Sequence, residues 1–302
     1  MLVLGGAGFI GRHAVEALLH VGASVIIGSR NPKKLLTPRT FHTLPKIAAE
    51  YPVVEVRLET LLEPEHWRSL IKNVDVILNC VGILRPVGSA TYEHVHRLAP
   101  RALAMACAQA GKRFIHISAL GLHADARSRF LTSIFCGKAE VRQHGKEWII
   151  VRPSLLDGRG GFGAWWLRAV ARLPVFVVPA NVKGRIAALR VTELGEALTR
   201  LCLASGDELR LGESREFELG GPENFDLEHY VRRLRTEYSD QRALCIPIPG
   251  LIARLIAHAC DVIHFTPFSF GHWELLTRDN APAVNRLAEL LGREPGRIGE
   301  AS

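Results

Sequence analysis

A chain of 302 residues, 48% hydrophobic and 23% charged, can bury a full core and is too apolar to stay disordered. Its formal net charge of +8 suits a phosphorylated ligand or an anionic membrane surface, or is simply a solvated basic surface, and no run of Lys/Arg with interleaved aromatics marks a reader of nucleic acid. Cys80, Cys107, Cys136, Cys202, Cys245 and Cys260 form no C-x-x-C pair and have no His at ligand spacing, so neither a metal site nor a disulfide framework is expected, and the thiols read as those of a reduced, cytoplasmic protein.

The opening MLVLGGAG lacks a basic n-region and a long apolar core, so no secretory signal is expected. Residues 1–4 form a short apolar run. Ala14, Val15, Leu18 and Leu19 follow helical spacing, and residues 23–28 make a second β-type run. Strand, glycine turn, helix, strand is the context that gives Gly5, Gly8 and Gly11 a meaning. The first glycine permits the tight turn, the second lets the backbone approach a pyrophosphate, and the third lets helix and sheet pack closely. The helix N-terminus then offers its free N–H groups to the phosphates. At the end of the second strand stand Ser29 and Arg30, followed by Lys33 and Lys34, where a carboxylate would hold the ribose hydroxyls of NAD. A guanidinium there can grip a 2′-phosphate, which favours NADP(H) over NAD(H); the alternative is a solvated Arg30.

Further along, VDVILNCVG (74–82), FIHISALG (114–121) and WIIVRPS (148–154) read as buried strands with small-residue turns at their carboxyl ends, and a helix with a kink or restart at Pro100 separates the first two. The alternation predicts an α/β fold with a Rossmann-type doubly wound parallel sheet over residues 1–155. Residues 156–302 are expected to form a smaller, helix-rich mixed lobe over the open strand ends, with 185–205 returning to the Rossmann unit as strand and helix. The glycine-rich LDGRGGFGAWW (156–166) reads as a loop over the cleft or as a plain interdomain turn. Asp226 is placed to cap a helix whose Leu227, Tyr230, Val231 and Leu234 share a face. The apolar stretch 246–265 carries Arg254, His258 and Asp261 and reads as a core or surface-docking helix; a basic protein with such a helix could rest at the inner face of a membrane. His94 and His96, two apart, do not share a helical face and read as solvated or cleft-edge rather than metal-binding.

GGAGFIG (5–11), NCVGIL (79–84), FIHISALG (114–121), VRPSLLDGRG (151–160), FELGGPENF (217–225) and LLTRDNAP (275–282) together resemble the extended and atypical short-chain dehydrogenases/reductases, most of all relatives of the nucleotide-binding accessory subunit of respiratory complex I and their bacterial homologues. The resemblance implies that Gly5, Gly8, Phe9, Ile10 and Gly11 wrap the pyrophosphate and that Ser29 and Arg30 hold the adenosine phosphate. It puts Cys80, Val81 and Gly82 on the adenine-ribose side. Ser118, Lys138 and the backbone of Pro153, Ser154 and Leu155 would face the nicotinamide half.

Active members of that group use Tyr-x-x-x-Lys, the phenol passing a proton and the lysine lowering its pKa, with a serine or threonine steadying the substrate oxygen. In SIFCGK (133–138) the position four before Lys138 is Ile134, and Tyr51, Tyr92, Tyr230 and Tyr238 are followed four places on by Glu55, His96, Leu234 and Arg242. The catalytic set is thereby reduced to Lys138 and Ser118, with Cys136 a poor substitute. Three functions stay open: a structural or redox-sensing NADP(H) protein linked to complex I or quinone metabolism, an active oxidoreductase on a small carbonyl or quinone using a non-tyrosine proton donor, or an NADP(H)-sensing regulator. A respiratory or membrane-associated protein partner goes with the first.

Overall fold

The computed structural model describes residues 1–32, 51–263, 266 and 268–299; Lys33 and Lys34 lie outside the described residues. The strands are β1 (Leu2–Leu4), β2 (Ile26–Ser29), β3 (Val53–Glu55), β4 (Val76–Asn79), β5 (Arg113–Ile117), β6 (Trp148–Pro153), β7 (Leu156–Asp157), β8 (Val175–Pro179), β9 (Leu189–Arg190), β10 (Glu216–Leu219) and β11 (Leu244–Ile248). Seven of them form one sheet in the order β10-β6-β5-β4-β1-β2-β3. Pairings from β6 through β3 are parallel, so the α/β doubly wound architecture expected from the alternating pattern is present.

Parallel strands covered by helices on both faces must be apolar throughout. β1 (LVL) meets that demand, and β4 (VILN) meets it up to the buried polar Asn79 at its carboxyl end, each residue of both being buried. Their neighbours in the core include Trp67, Ile71, Leu103, Phe114 and Ile150. Trp67 is accommodated because its indole N–H donates to the Leu61 carbonyl at 2.9 Å. Strand order reverses between β1 and β4, and a ligand crevice is expected beyond the carboxyl ends at such a switch point.

Two compact units divide the chain. The first comprises Met1–Ser118, Ser133–Arg152 and Thr192–Phe217, and the second Ala119–Thr132, Pro153–Val191 and Glu218–Ser302. In the second unit Phe176, Val178, Ile186, Tyr230, Val231 and Leu234 make a separate core. Asp226 caps the Leu227–Arg235 helix, its carboxylate accepting from the His229 N–H at 2.8 Å. Arg235 is buried there because its guanidinium donates to the carbonyls of Ala171, Leu173 and Gln241. β8 pairs with β11 and β7 with β9 as two small parallel ribbons.

Residues 156–166 are not one loop: β7 occupies the start, and the Phe162–Arg172 helix begins where glycines give way to aromatic and aliphatic residues at helical spacing. Pro100 sits in the first turn of the Ala99–Ala110 helix, directly after a π-helical turn at Glu93–Leu98, so the restart expected at that proline is real.

Candidate functional site

β1 ends at Leu4, and the chain reverses at Gly5 with φ of 70°. Gly5 and Gly6 both donate to the Gly28 carbonyl at the end of β2 (2.9 and 3.2 Å), and Gly8 donates to the Gly5 carbonyl at 2.7 Å. A Cβ on Gly11 would lie 2.2 Å from that same carbonyl oxygen, which is why only glycine fits there. A Cβ on Gly5 would meet the backbone of Cys80 at 3.3 Å, so the glycine turn lies directly against the turn that follows β4. The Phe9–His20 helix starts with Gly8 as its N-cap, with no side-chain cap and no acidic residue in its first turn. The N–H groups of Phe9, Ile10 and Gly11 therefore stand at the positive end of a helix without a competing carboxylate. Arg12, buried one residue beyond Gly11, puts a cation into the same turn, its guanidinium 5.7 Å from the Phe9 ring centroid. Ser29 is buried at the end of β2 and its hydroxyl accepts from the Asn31 N–H at 3.3 Å; Arg30 is exposed.

The turn after β4 is fixed from three sides. Asn79 accepts from the Val81 N–H through Oδ1 (3.1 Å), and its Nδ2 meets His116 Nδ1 on the adjacent β5 (3.2 Å). His96 Nε2 accepts from the Ile83 N–H at 3.0 Å, so its proton sits on Nδ1 and is donated to Ser133 Oγ at 2.8 Å. Tyr92 donates to the Leu84 carbonyl at 2.7 Å and stacks on His96 at 5.5 Å. Burial lowers both imidazoles to about 4, with the neighbouring His96 adding to the effect at His116, so both are neutral at physiological pH. Nothing but His96, at 4.0 Å, approaches a Cβ built on Gly82. Burial also pushes the Cys80 thiol far up, which leaves it unreactive.

Ser118 follows β5, its N–H donating to the Val151 carbonyl at 2.8 Å; its hydroxyl is buried and makes no protein hydrogen bond. Lys138 is only 5% exposed on the Arg129–His144 helix, its ammonium 5.4 Å from the Phe135 ring centroid. Ile134 and Lys138, four apart, share a face of that helix. Gly137 lets the helix press on the π-helical turn so closely that a Cβ would lie 1.7 Å from the His96 carbonyl oxygen. That contact positions Ser133 for His96 and Glu140 for Arg97, the latter pair at 2.8 Å.

Several placements depart from the sequence reading. His96 is not solvated but a buried strut beneath the turn after β4, accepting from Ile83 and donating to Ser133. Sequence reasoning also passed over Asn79, Arg12, Ser133 and Gly137; Asn79 alone left a signal, as the polar residue ending an apolar strand. In the second unit Pro153 and Leu155 use their carbonyls to accept from Leu120 and Leu189. The Ser154 N–H donates to Leu219, while its hydroxyl donates to the Asn280 carbonyl at 2.5 Å and accepts from the Ala187 N–H. Also in that unit, both ring nitrogens of His123 are buried without a hydrogen-bond partner. No group of His, Cys, Asp and Glu able to hold a metal occurs among the described residues.

An uncapped helix start and a glycine turn set against the switch point of a parallel sheet define a dinucleotide-binding Rossmann protein. The family model described as NAD(P)H-binding matches residues 5–163, and the chain belongs to that family. It is homologous to subunit 9 of the mouse mitochondrial NADH dehydrogenase [ubiquinone] 1 alpha subcomplex, 31% identical over 169 residues, which span 52% of this chain but 40% of the mouse protein. A ceramide reductase of Caulobacter vibrioides is 26% identical over 95% of this chain and 87% of its own. In fold the chain is similar to a triphenylmethane reductase of Citrobacter sp. complexed with NADP(H), with a TM-score of 0.71 at 16% identity, covering 99% and 97% of the two chains. An NADPH-dependent quinone oxidoreductase from Escherichia coli gives 0.70 at 15% identity over 99% and 96%.

Proposed function

We propose that this chain is an NADP(H)-binding protein of the atypical short-chain dehydrogenase class that holds its nucleotide without a tyrosine proton donor. The nucleotide serves a structural or redox-sensing role, in association with a respiratory or quinone-related assembly. The observation that carries the reading is the helical face on which a buried Lys138 stands four residues after Ile134. An ammonium there can donate to ribose hydroxyls, whereas isoleucine can neither ionise nor donate, so binding persists where the usual proton transfer does not. Ser118 Oγ, buried and without a protein partner, is available to a bound molecule in the same unit. The resemblance to the complex I subunit supports the respiratory association.

Lys138→Met, which keeps the stem volume and removes the charge, is expected to weaken NADPH and NADH binding alike by about tenfold or more, as loss of a charge-assisted hydrogen bond implies. Titration by tryptophan fluorescence reads it, and unchanged affinities would remove the ribose role. The adenosine phosphate falls to Arg30, exposed at the end of β2 beside Ser29. Arg30→Ala should therefore cost NADPH about tenfold to a hundredfold in affinity and NADH less than about threefold. Equal losses in calorimetry would refute the NADP(H) preference.

A second reading, an active oxidoreductase with another proton donor, is favoured by the nearly full-length likeness to a ceramide reductase. Steady NADPH oxidation with a quinone or small carbonyl by the purified protein would promote this reading over the first.

A further inference from the structure

The Gly250–Ile263 helix is built inside out. Its buried face is the small-residue stripe Ala253, Ala257 and Cys260, while Leu251, Ile252, Leu255, Ile256, Val262 and Ile263 point to solvent, Leu251 71%, Leu255 61% and Val262 80% exposed. A soluble helix normally does the reverse, since burying each of these side chains is favourable. Just before it, joined through Pro249, the β8/β11 ribbon also turns aliphatics outward. Leu244 pairs with Val175 and Ile246 with Val177 in register, and all four are exposed, whereas Phe176 and Val178 are buried. Helix and ribbon, adjacent in the chain, thus both present aliphatics to solvent, and exposed apolar surface on that scale marks an interaction face.

Charge identifies the partner. Residues 158–192 contain no Asp or Glu, yet carry Arg159, Arg172, Lys183 and Arg185, all exposed. Within that stretch Phe162 and Trp165, the latter 59% exposed, project from the Phe162–Arg172 helix, as aromatic residues do at a lipid headgroup boundary. On the Gly250–Ile263 helix, Arg254 and His258 flank the aliphatic face against the Phe270 ring, at 5.6 and 4.4 Å. The helix's one acid, Asp261, accepts from the Phe270 N–H at 3.0 Å. Fourteen residues span about 21 Å, short of a bilayer's ~30 Å hydrocarbon core. No helix among the described residues is long and apolar enough to cross a membrane. We propose that this face of the second unit docks on an anionic bilayer, the Gly250–Ile263 helix lying in the interfacial plane with its aliphatics among the acyl chains and the surrounding cations at the headgroups. The proposal is independent of the nucleotide reading.

Flotation of the full chain, loaded with NADPH, with vesicles of phosphatidylcholine alone or of phosphatidylcholine with phosphatidylglycerol tests it. The wild type should float with the anionic vesicles, severalfold less so in about 0.5 M salt, where exposed charges are screened. The double substitution Leu255→Glu, Ile256→Glu should reduce the bound fraction at least tenfold while leaving the melting temperature and NADPH affinity unchanged. Val21→Glu, at an exposed apolar position in the other unit, should float like the wild type. A wild type that stays unbound to anionic vesicles, or a double variant that floats undiminished, overturns the proposal. So does a wild-type dimer in sedimentation velocity that the double variant converts to monomer, since a second copy would then cover the face.

Discussion

Gly137→Ala is expected to destabilise the protein by about 2–3 kcal/mol and to weaken binding of either nucleotide about tenfold. The added Cβ would stand 1.7 Å from the His96 carbonyl oxygen and 2.9 Å from its carbon, and both are backbone atoms that cannot swing aside. The Arg129–His144 helix must retreat. Its retreat opens the His96–Ser133 hydrogen bond and the Arg97–Glu140 pair, and it carries Lys138, the next residue, away from its place. A thermal melt should fall by about 5–10 °C, and the NADPH titration should weaken in the same variant. Gly163→Ala is the control: it is also helical, but a Cβ there meets nothing within 4 Å, so its melt should stay level or rise slightly.

This contact shows where the sequence stops being legible. The glycine turn could be read because its determinants are local: Gly5, Gly8 and Gly11 serve a strand, a turn and a helix within twenty residues, and each glycine answers to a neighbour in that same segment or to the strands beside it. The seven-stranded sheet could be read for the same reason, since a parallel strand announces its burial on both faces by an apolar run, as LVL does in β1 and VIL in β4. Gly137 gave no such sign. The atom that forbids its side chain belongs to His96, forty-one residues earlier, and only the packed structure brings the two together. His96 was misread through the same gap: two histidines spaced by one residue look like a solvated pair until a π-helical turn changes which of them faces inward. The second unit was the least legible. Aliphatic periodicity in residues 250–263 specifies a helix but not which side is covered, and here the small residues won the buried side.

Acid should destabilise this protein well before its carboxylates titrate. His96 and His116 have folded pKa values of about 4 against an ordinary value of 6.5. Between those values the unfolded chain binds protons that the native state refuses, so stability rises with pH across the window and is complete above 6.5. At pH 5 the deficit is about 2 kcal/mol for each imidazole, less whatever the two share through their mutual repulsion. The melting temperature should therefore be flat from pH 8 to 7 and drop by about 5–10 °C on going to pH 5. Asp226, the helix cap with a lowered carboxyl pKa, cannot be the cause, because its contribution is lost only as pH falls below its ordinary value of 3.8. His96→Gln is the discriminating variant: its amide can still accept from the Ile83 N–H and donate to Ser133 but does not titrate, so it should recover about half of the acid loss. Binding should report the same event, because a protonated His96 can no longer accept from Ile83. The turn holding Cys80, Val81 and Gly82 is then released from one of its three supports, and NADPH affinity should decline over the same pH range in the wild type and less in the glutamine variant.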